Sequence, residues 1–193
     1  MRKVARRAFL RSLQVKEKTY KIPFSETLHE GTNLASGNIT WSPDATTIRY
    51  ARLRVSGDLV VGGATPITPV SGTAEFLVNG NWVGGVRVPE SGACIGECHT
   101  GFTREYDMTP YLINGENWVT VELRKSWGWP TWIELRNFSA FIVLGYEGAE
   151  PGIEVKPPPP EWWPYLKWGL VGAGVIAVGA VLIRTVPELM KKK

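Results

Sequence analysis

Histidine and cysteine are both scarce in this chain of 193 residues, with two of each. The histidines, His29 and His99, have no Gly-x-Ser-x-Gly or comparable nucleophile context around them. No glycine-rich loop precedes a helix in the way a phosphate cradle requires. The cysteines fall together in "CIGEC", as Cys94 and Cys98. One such pair does not define a redox compartment, so a local disulfide and two free thiols both stand as readings. A metal site would borrow His99 as a third ligand, but no fourth ligand lies nearby in sequence. The chain also lacks an apolar stretch after "RRAFLR" near its start, where "SLQVKEKTY" is polar. Neither a twin-arginine nor an ordinary signal peptide is therefore expected. Between residues 19 and 148 no helix-period segment runs longer than a few residues.

What the chain does have is 21 Gly, 14 Pro and 9 Trp, a composition of many turns and large aromatics. Its net charge of +4 hides a strong asymmetry. Residues 1–19 carry seven Lys and Arg against one Glu, and the last ten residues carry Arg184 and three Lys against Glu188. The middle is acidic. This argues against a nucleic-acid-binding surface on the domain, and leaves the basic arm over 1–18 as the one segment suited to nucleic-acid phosphate or anionic lipid.

The middle reads as β. Short runs such as "YKIPF", "GNITW", "TIRYARLRV", "TAEFLV", "NWVGGVRV", "FTREYDM", "NWVTVEL", "TWIELRN" and "AFIVLGY" are separated by turn residues, with "VVGGAT" read as a loop. Ala51, Leu53 and Val55 alternate with Tyr50, Arg52 and Arg54, and Asn117, Val119, Val121 and Leu123 alternate with Trp118, Thr120 and Glu122. That is the period of a strand with one dry face. Seven to nine such strands predict an all-β sandwich over 19–148.

Residues 149–161, "AEPGIEVKPPPPE", read as a linker stiffened by four prolines. Beyond it, Trp168 to Ile183 is free of charge, and Trp162, Trp163, Tyr165 and Trp168 form an aromatic belt on one side with Arg184 and three lysines on the other. Those features predict a single C-terminal transmembrane helix in 162–193. The lysine cluster places the tail in the cytoplasm and the sandwich outside it, on a cell surface or virion membrane. The six-charge excess of the N-terminal arm runs against that topology. Gly169, Ala173, Ala177 and Ala180 make a small-residue stripe suited to helix–helix contact.

In "EFLVNGNWVGG", Asn79-Gly80 is the sequence of a type I′ hairpin turn, where both central residues need positive φ. This stretch, the preceding "IRYARLRVSG" and the following "GFTREYDMTPYLINGENWVTVEL" together resemble the galactose-binding-like jelly rolls found as accessory sugar-binding domains of glycoside hydrolases. The positions that carry the resemblance are Asn79, Gly80, Val83, Gly84, Phe102, Asp107, Thr109, Leu112, Gly115 and Asn117. It implies a jelly-roll sandwich and leaves the ligand open. The catalytic domain that follows in those hydrolases has no counterpart here. The residues themselves point to turn-making and capping, with Asp107 set to accept backbone N–H groups in "DMTPYL".

Glu105 and Asp107 share one face of a strand, but nothing around them suggests the cleft a glycosidase pair must flank. No enzyme activity and no cofactor are expected. The binding candidate is "SWGWPTW", where Trp127, Trp129 and Trp132 could stack on sugar or anchor a protein interface, or fill the core. Asn38-Ile39-Thr40 and Asn137-Phe138-Ser139 fit the glycosylation pattern. The expectation is a membrane-anchored structural or interaction protein of a surface assembly, a virion among them, with the bilayer and other subunits or copies of itself as partners. A cell-surface carbohydrate-binding module and an accessory subunit of a membrane enzyme complex are the alternatives, the first with a glycan as ligand.

Overall fold

The computed structural model describes residues 15–63, 65–125 and 131–156. In chain order the strands are β1 (Lys16–Ile22), β2 (Leu28–His29), β3 (Gly31–Thr40), β4 (Thr46–Gly63), β5 (Pro69–Val70), β6 (Gly72–Val78) and β7 (Asn81–Val88). There follow β8 (Cys94–Ile95), β9 (Glu97–Asp107), a 3-10 turn (Thr109–Tyr111), β10 (Gly115–Lys125), β11 (Thr131–Gly148) and β12 (Gly152–Lys156).

The pairing is nested. β1 lies against β11, β3 against β10, β4 against β9 and β6 against β7, all antiparallel. Setting aside β12 and the two-residue strands, the first of eight strands pairs with the last, the second with the seventh, and so inward. That is one long hairpin. Rolling it up adds the β4–β11 and β6–β10 pairings. The two sheets that result run β1-β11-β4-β9 and β12-β3-β10-β6-β7. This is a jelly roll, as the family resemblance implied, and its topology follows from the strand pairing alone.

The inward residues of both sheets form one core. Ala51, Leu53 and Val55 of β4 and Asn117, Val119, Val121 and Leu123 of β10 are all buried, as their alternation predicts. Phe76 sits among Phe102, Tyr106 and Phe138, with ring centroids 6.1, 5.6 and 6.3 Å away. Aromatic contacts at such distances add to the area they bury.

Several strands differ from their sequence reading. "TWIELRN" and "AFIVLGY" are two halves of one strand, β11, whose register against β4 shifts between Arg136 and Ser139. Asn137 takes φ 52° at that bulge, an excursion its short polar side chain tolerates. Gly62 and Gly63 belong to β4 and not to a loop. A Cβ on Gly62 would fall 2.4 Å from Cζ2 of Trp132, so the glycine is there to let the indole lie flat on the strand. The strands also reach outside 19–148 at both ends. Lys16 opens β1, and Gly152–Lys156 pairs with β3 from Thr40 to Ser36, inside the segment read as linker. Ile153 packs against the core, giving that short strand an apolar anchor.

Asn79 and Gly80 form the expected turn, with φ 50° and 79°. Asn79 does more than turn the chain. Its amide donates to Tyr111 O at 2.8 Å and to Asn117 Oδ1 at 3.0 Å, while its Oδ1 accepts from Trp118 N at 2.8 Å. The fully buried Asn117 in turn accepts from Ile113 N and donates to Ile113 O and Gly115 O, at 2.8–2.9 Å. Asp107 Oδ1 accepts from both the backbone N–H (3.0 Å) and hydroxyl (2.6 Å) of Thr109. The Thr109 hydroxyl is also within hydrogen-bond distance of Ala51 N and O on β4. These motif residues are one hydrogen-bonded clamp at one end of the sandwich.

Candidate functional site

At the opposite end, two loops are fastened to each other. Gly63 N–H donates to Gly96 O at 3.1 Å, and Gly96 N–H donates to Thr68 O at 3.0 Å. β5 and β8 pair across them, Pro69 opposite Ile95 and Val70 opposite Cys94. Cys94 and Cys98 form a disulfide with Cα atoms 6.5 Å apart. The loop after Gly63 and the loop before β9 therefore make one rigid tip. Ile67 and Ile95 stand on it, 78% and 66% exposed, more open than any other large apolar side chain among the described residues. Neither stood out in the sequence, because an isolated Ile in "TPITP" or "CIG" has no periodic signal.

His99 follows the disulfide and faces two acids. Its Nδ1 lies 3.1 Å from Asp58 Oδ2 and its Nε2 3.0 Å from Glu97 Oε1. The hydrogen bond to Asp58, then the two carboxylate charges and the bond to Glu97, outweigh desolvation and raise its pKa. With the two sulfurs bonded together and both ring nitrogens on carboxylates, Cys94, Cys98 and His99 do not form a metal site. No group of His, Cys, Asp or Glu suited to a metal occurs among the described residues.

Glu105 and Asp107 do share the outer face of β9, and their surroundings separate them chemically. Arg54 Nε donates to Glu105 at 2.6 Å, with Arg52 3.4 Å away on its other oxygen. That Arg54 bond is the main reason its pKa is lowered, as the Thr109 hydroxyl is for Asp107. A glycosidase acid needs a carboxyl held protonated. Both of these are shifted the other way.

Of the tryptophans singled out in "SWGWPTW", Trp127 and Trp129 lie outside the described residues. Trp132 is half-buried, lying against Gly62 with the Arg136 guanidinium 5.4 Å from its ring. It serves as packing on the outer face of β4 and β11 and not as an open platform. Among the described residues the open tryptophan is Trp82, 61% exposed on β7. It borders a groove of about 400 Å³ that also touches Glu75, Gly84, Gly85, Arg87 and Tyr106. The Tyr106 ring covers Gly84, and its hydroxyl donates to Gly85 O at 3.0 Å. The "NGNW" context of Trp82 was the available signal, since a tryptophan two residues past a tight turn at a sheet edge has little to pack against.

Neither a protein-family model nor a curated protein sequence matches the chain. Among solved structures, T=1 particles derived from infectious bursal virus are similar at 14% identity and a TM-score of 0.29, over 78% of this chain and 42% of that one. The infectious bursal disease virus Gx strain structure gives 12% identity and a TM-score of 0.26, over 77% and 42%. The VP2 subviral particle of the same virus gives 12% and 0.24, over 78% and 43%. The chain thus spans less than half the length of the chains it overlaps. Superposition this slight carries no inference, and the jelly roll rests on the strand pairing above.

The remaining residues singled out in the sequence also lie outside the described region. They are the belt of Trp162, Trp163, Tyr165 and Trp168, the boundary residue Arg184, and the stripe of Gly169, Ala173, Ala177 and Ala180. Among the described residues no helix is long and apolar enough to cross a membrane.

Proposed function

We propose that the chain is a non-enzymatic structural and interaction subunit, a jelly roll borne on a C-terminal membrane anchor and built into a surface assembly such as a virion. The observation that carries this reading is the locked tip. Ile95 stands on a loop closed by the Cys94–Cys98 disulfide, and two backbone hydrogen bonds tie that loop to the one bearing Ile67, so both side chains lose little conformational freedom when a partner covers them. The charge-free stretch near the C-terminus and its flanking aromatics and cations support the tether, and the basic arm suits an anionic lipid or nucleic-acid phosphate.

The test uses the full chain and compares wild type with the Ile67→Asp, Ile95→Asp double variant by light scattering and electron microscopy of its assemblies. Burying an isoleucine is worth about 1.5–3 kcal/mol. Losing both contacts should therefore weaken association roughly 100-fold or more. Assemblies of unchanged size and concentration dependence would overturn the reading.

A further inference from the structure

The chain's two histidines stand far apart in sequence and meet the same network of charged side chains. His29 Nδ1 lies 3.5 Å from Glu134 Oε1, and the other oxygen of Glu134 accepts from Arg136 Nε at 2.9 Å. Arg136 Nη1 is 3.9 Å from Glu97 Oε1, the oxygen that also lies 3.0 Å from His99 Nε2. His99 Nδ1 ends the series on Asp58 Oδ2 at 3.1 Å. The register explains the gathering. Glu134 and His99 both lie opposite Val60, His29 opposite Glu134, and Arg136 opposite Asp58, so β2, β11, β4 and β9 present these groups on one outer face. Val60 is fully buried beneath them without belonging to the main core, so the layer above it is closely packed. Further along the face Ser56, Thr103 and Ser139 intervene before the next charges, Arg54 and Glu105.

This network begins where the locked tip ends. Glu97 follows Gly96, whose backbone N–H and C=O fasten the two tip loops, and it lies opposite Gly62, just before the loop that carries Ile67. The geometry also selects a protonation state. A neutral imidazole donates through one nitrogen only, whereas an imidazolium donates through both. With a carboxylate oxygen on each nitrogen, His99 is placed as an imidazolium, in keeping with its raised pKa, to which the Asp58 bond contributes most. When the proton leaves, one of these contacts sets a lone pair against a carboxylate. Three carboxylates against one guanidinium then leave the face at −2, and protonating both imidazoles brings it to zero.

We propose that the tip docks on the tip of a second copy, and that the network from His29 to His99 is the pH-sensitive rim of that contact, favouring the pair in mild acid. The inference rests on the reading of the tip as the surface of association and names its partner and its regulation. Two apolar tips cover each other, the isoleucines of one seating between those of the second in a self-complementary two-fold contact. Both rims then border the same contact. At −2 each they repel, and at zero that repulsion is gone. The disulfide between Cys94 and Cys98 brackets Glu97 and adjoins His99, so the rim is held as firmly as the isoleucines it flanks.

The full-length protein in detergent is followed by sedimentation equilibrium at about pH 5.5 and about pH 8, either side of the ordinary histidine value. At low salt the pair should be about tenfold tighter in acid, the effect of two double charges roughly 12 Å apart in water. At about 1 M salt the difference should fall to within about twofold. The salt series tests the charge without any substitution. His29 and His99 are the only histidines in the chain, so a pH effect in this window traces to the network or to the N-terminal amine. The His29→Gln, His99→Gln double variant separates these: it should lose the pH effect and associate at the weaker, high-pH strength, with its melting temperature checking the fold. Wild-type association that is independent of pH or tighter at the higher pH, or a pH effect that survives in the double variant, would overturn the proposal. The Ile67→Asp, Ile95→Asp variant is measured alongside. If it associates as tightly as wild type, the tip is not the contact and the assembly reading falls with this one. If it weakens while pH changes nothing, only the pH-sensitive rim is lost.

Discussion

Replacing Asn79 by glycine separates two accounts of the same motif. If Asn79 only supplies positive φ for the turn, glycine does that at least as well. The loss would then be the extra backbone entropy of glycine, about 0.5–1 kcal/mol. The structure gives Asn79 three side-chain hydrogen bonds, to Tyr111 O, Asn117 Oδ1 and Trp118 N, all part-buried. At a net 0.5–1.5 kcal/mol each, and with Trp118 N–H and Asn117 left short of partners, their removal costs about 3 kcal/mol. Together the two effects come to about 3.5–4 kcal/mol, or roughly 7–15 °C in melting temperature for a domain of this size. Urea unfolding of wild type and Asn79→Gly, followed by tryptophan fluorescence, measures it directly, with an unchanged slope showing that stability alone has moved. A double-mutant cycle with Asn117→Ala should give a coupling of about 0.5–3 kcal/mol, because the two amides touch. A loss below about 1 kcal/mol, or strict additivity in the cycle, would refute the clamp and return Asn79 to a turn residue.

Three further outcomes follow from packing and charge. Thr109→Val keeps the shape but leaves Ala51 N–H, now 2.8 Å from the Thr109 hydroxyl, without its partner; about 1–3 kcal/mol should be lost in the same unfolding assay. Gly62→Ala drives a methyl into the Trp132 indole and should cost about 1–3 kcal/mol, largely recovered when Trp132→Leu is added. His99 should titrate above the ordinary histidine value by NMR, and Asp58→Asn should bring it down. Since the folded pKa is the higher one, the stabilisation from His99 is fully present below about pH 6.5 and is lost as pH rises through the folded value. It should be small, because the side chain is half-exposed.

The fold was readable where alternation and turn chemistry coincided. Ala51, Leu53 and Val55, and Val119, Val121 and Leu123, announce their buried faces through period two alone, and Asn79-Gly80 announces its turn. What stayed hidden was long-range. Nothing local to "TWIELRN" and "AFIVLGY" says that they are one strand, because the Asn137 bulge is fixed by how β11 meets β4 and not by its own neighbours. Gly62 and Gly63 carry the local signature of a loop, and are strand because they pair with Trp132 and Thr131 of β11, far along the chain. The same limit hid the surface features. Ile67 and Ile95 are unremarkable until the backbone bonds between their loops place them on one tip, and Tyr106 reads as a core aromatic until its hydroxyl is seen closing the edge at Gly85.

The edges of the two sheets bear on how this molecule could associate. Each is blunted in a different way. β7 is capped by Tyr106 and bulged at Val83. β12 is five residues long, and β1 carries Lys16, Lys18 and Lys21 in seven residues. β9 presents Glu97, His99, Glu105 and Asp107 along its outer side, tied into ion pairs and turns. Short, charged and covered edges are the means by which sandwiches avoid pairing with their neighbours. Strand addition is thus disfavoured at each of these edges, so an association of the kind proposed above would rest on side chains instead. Docking through side chains on rigid loops is also selective in a way that edge pairing is not, since a bare ladder accepts almost any strand while a pair of fixed isoleucines requires a pocket of matching shape. Under the assembly reading proposed above, that selectivity is what would let copies meet at high local concentration in one geometry and no other.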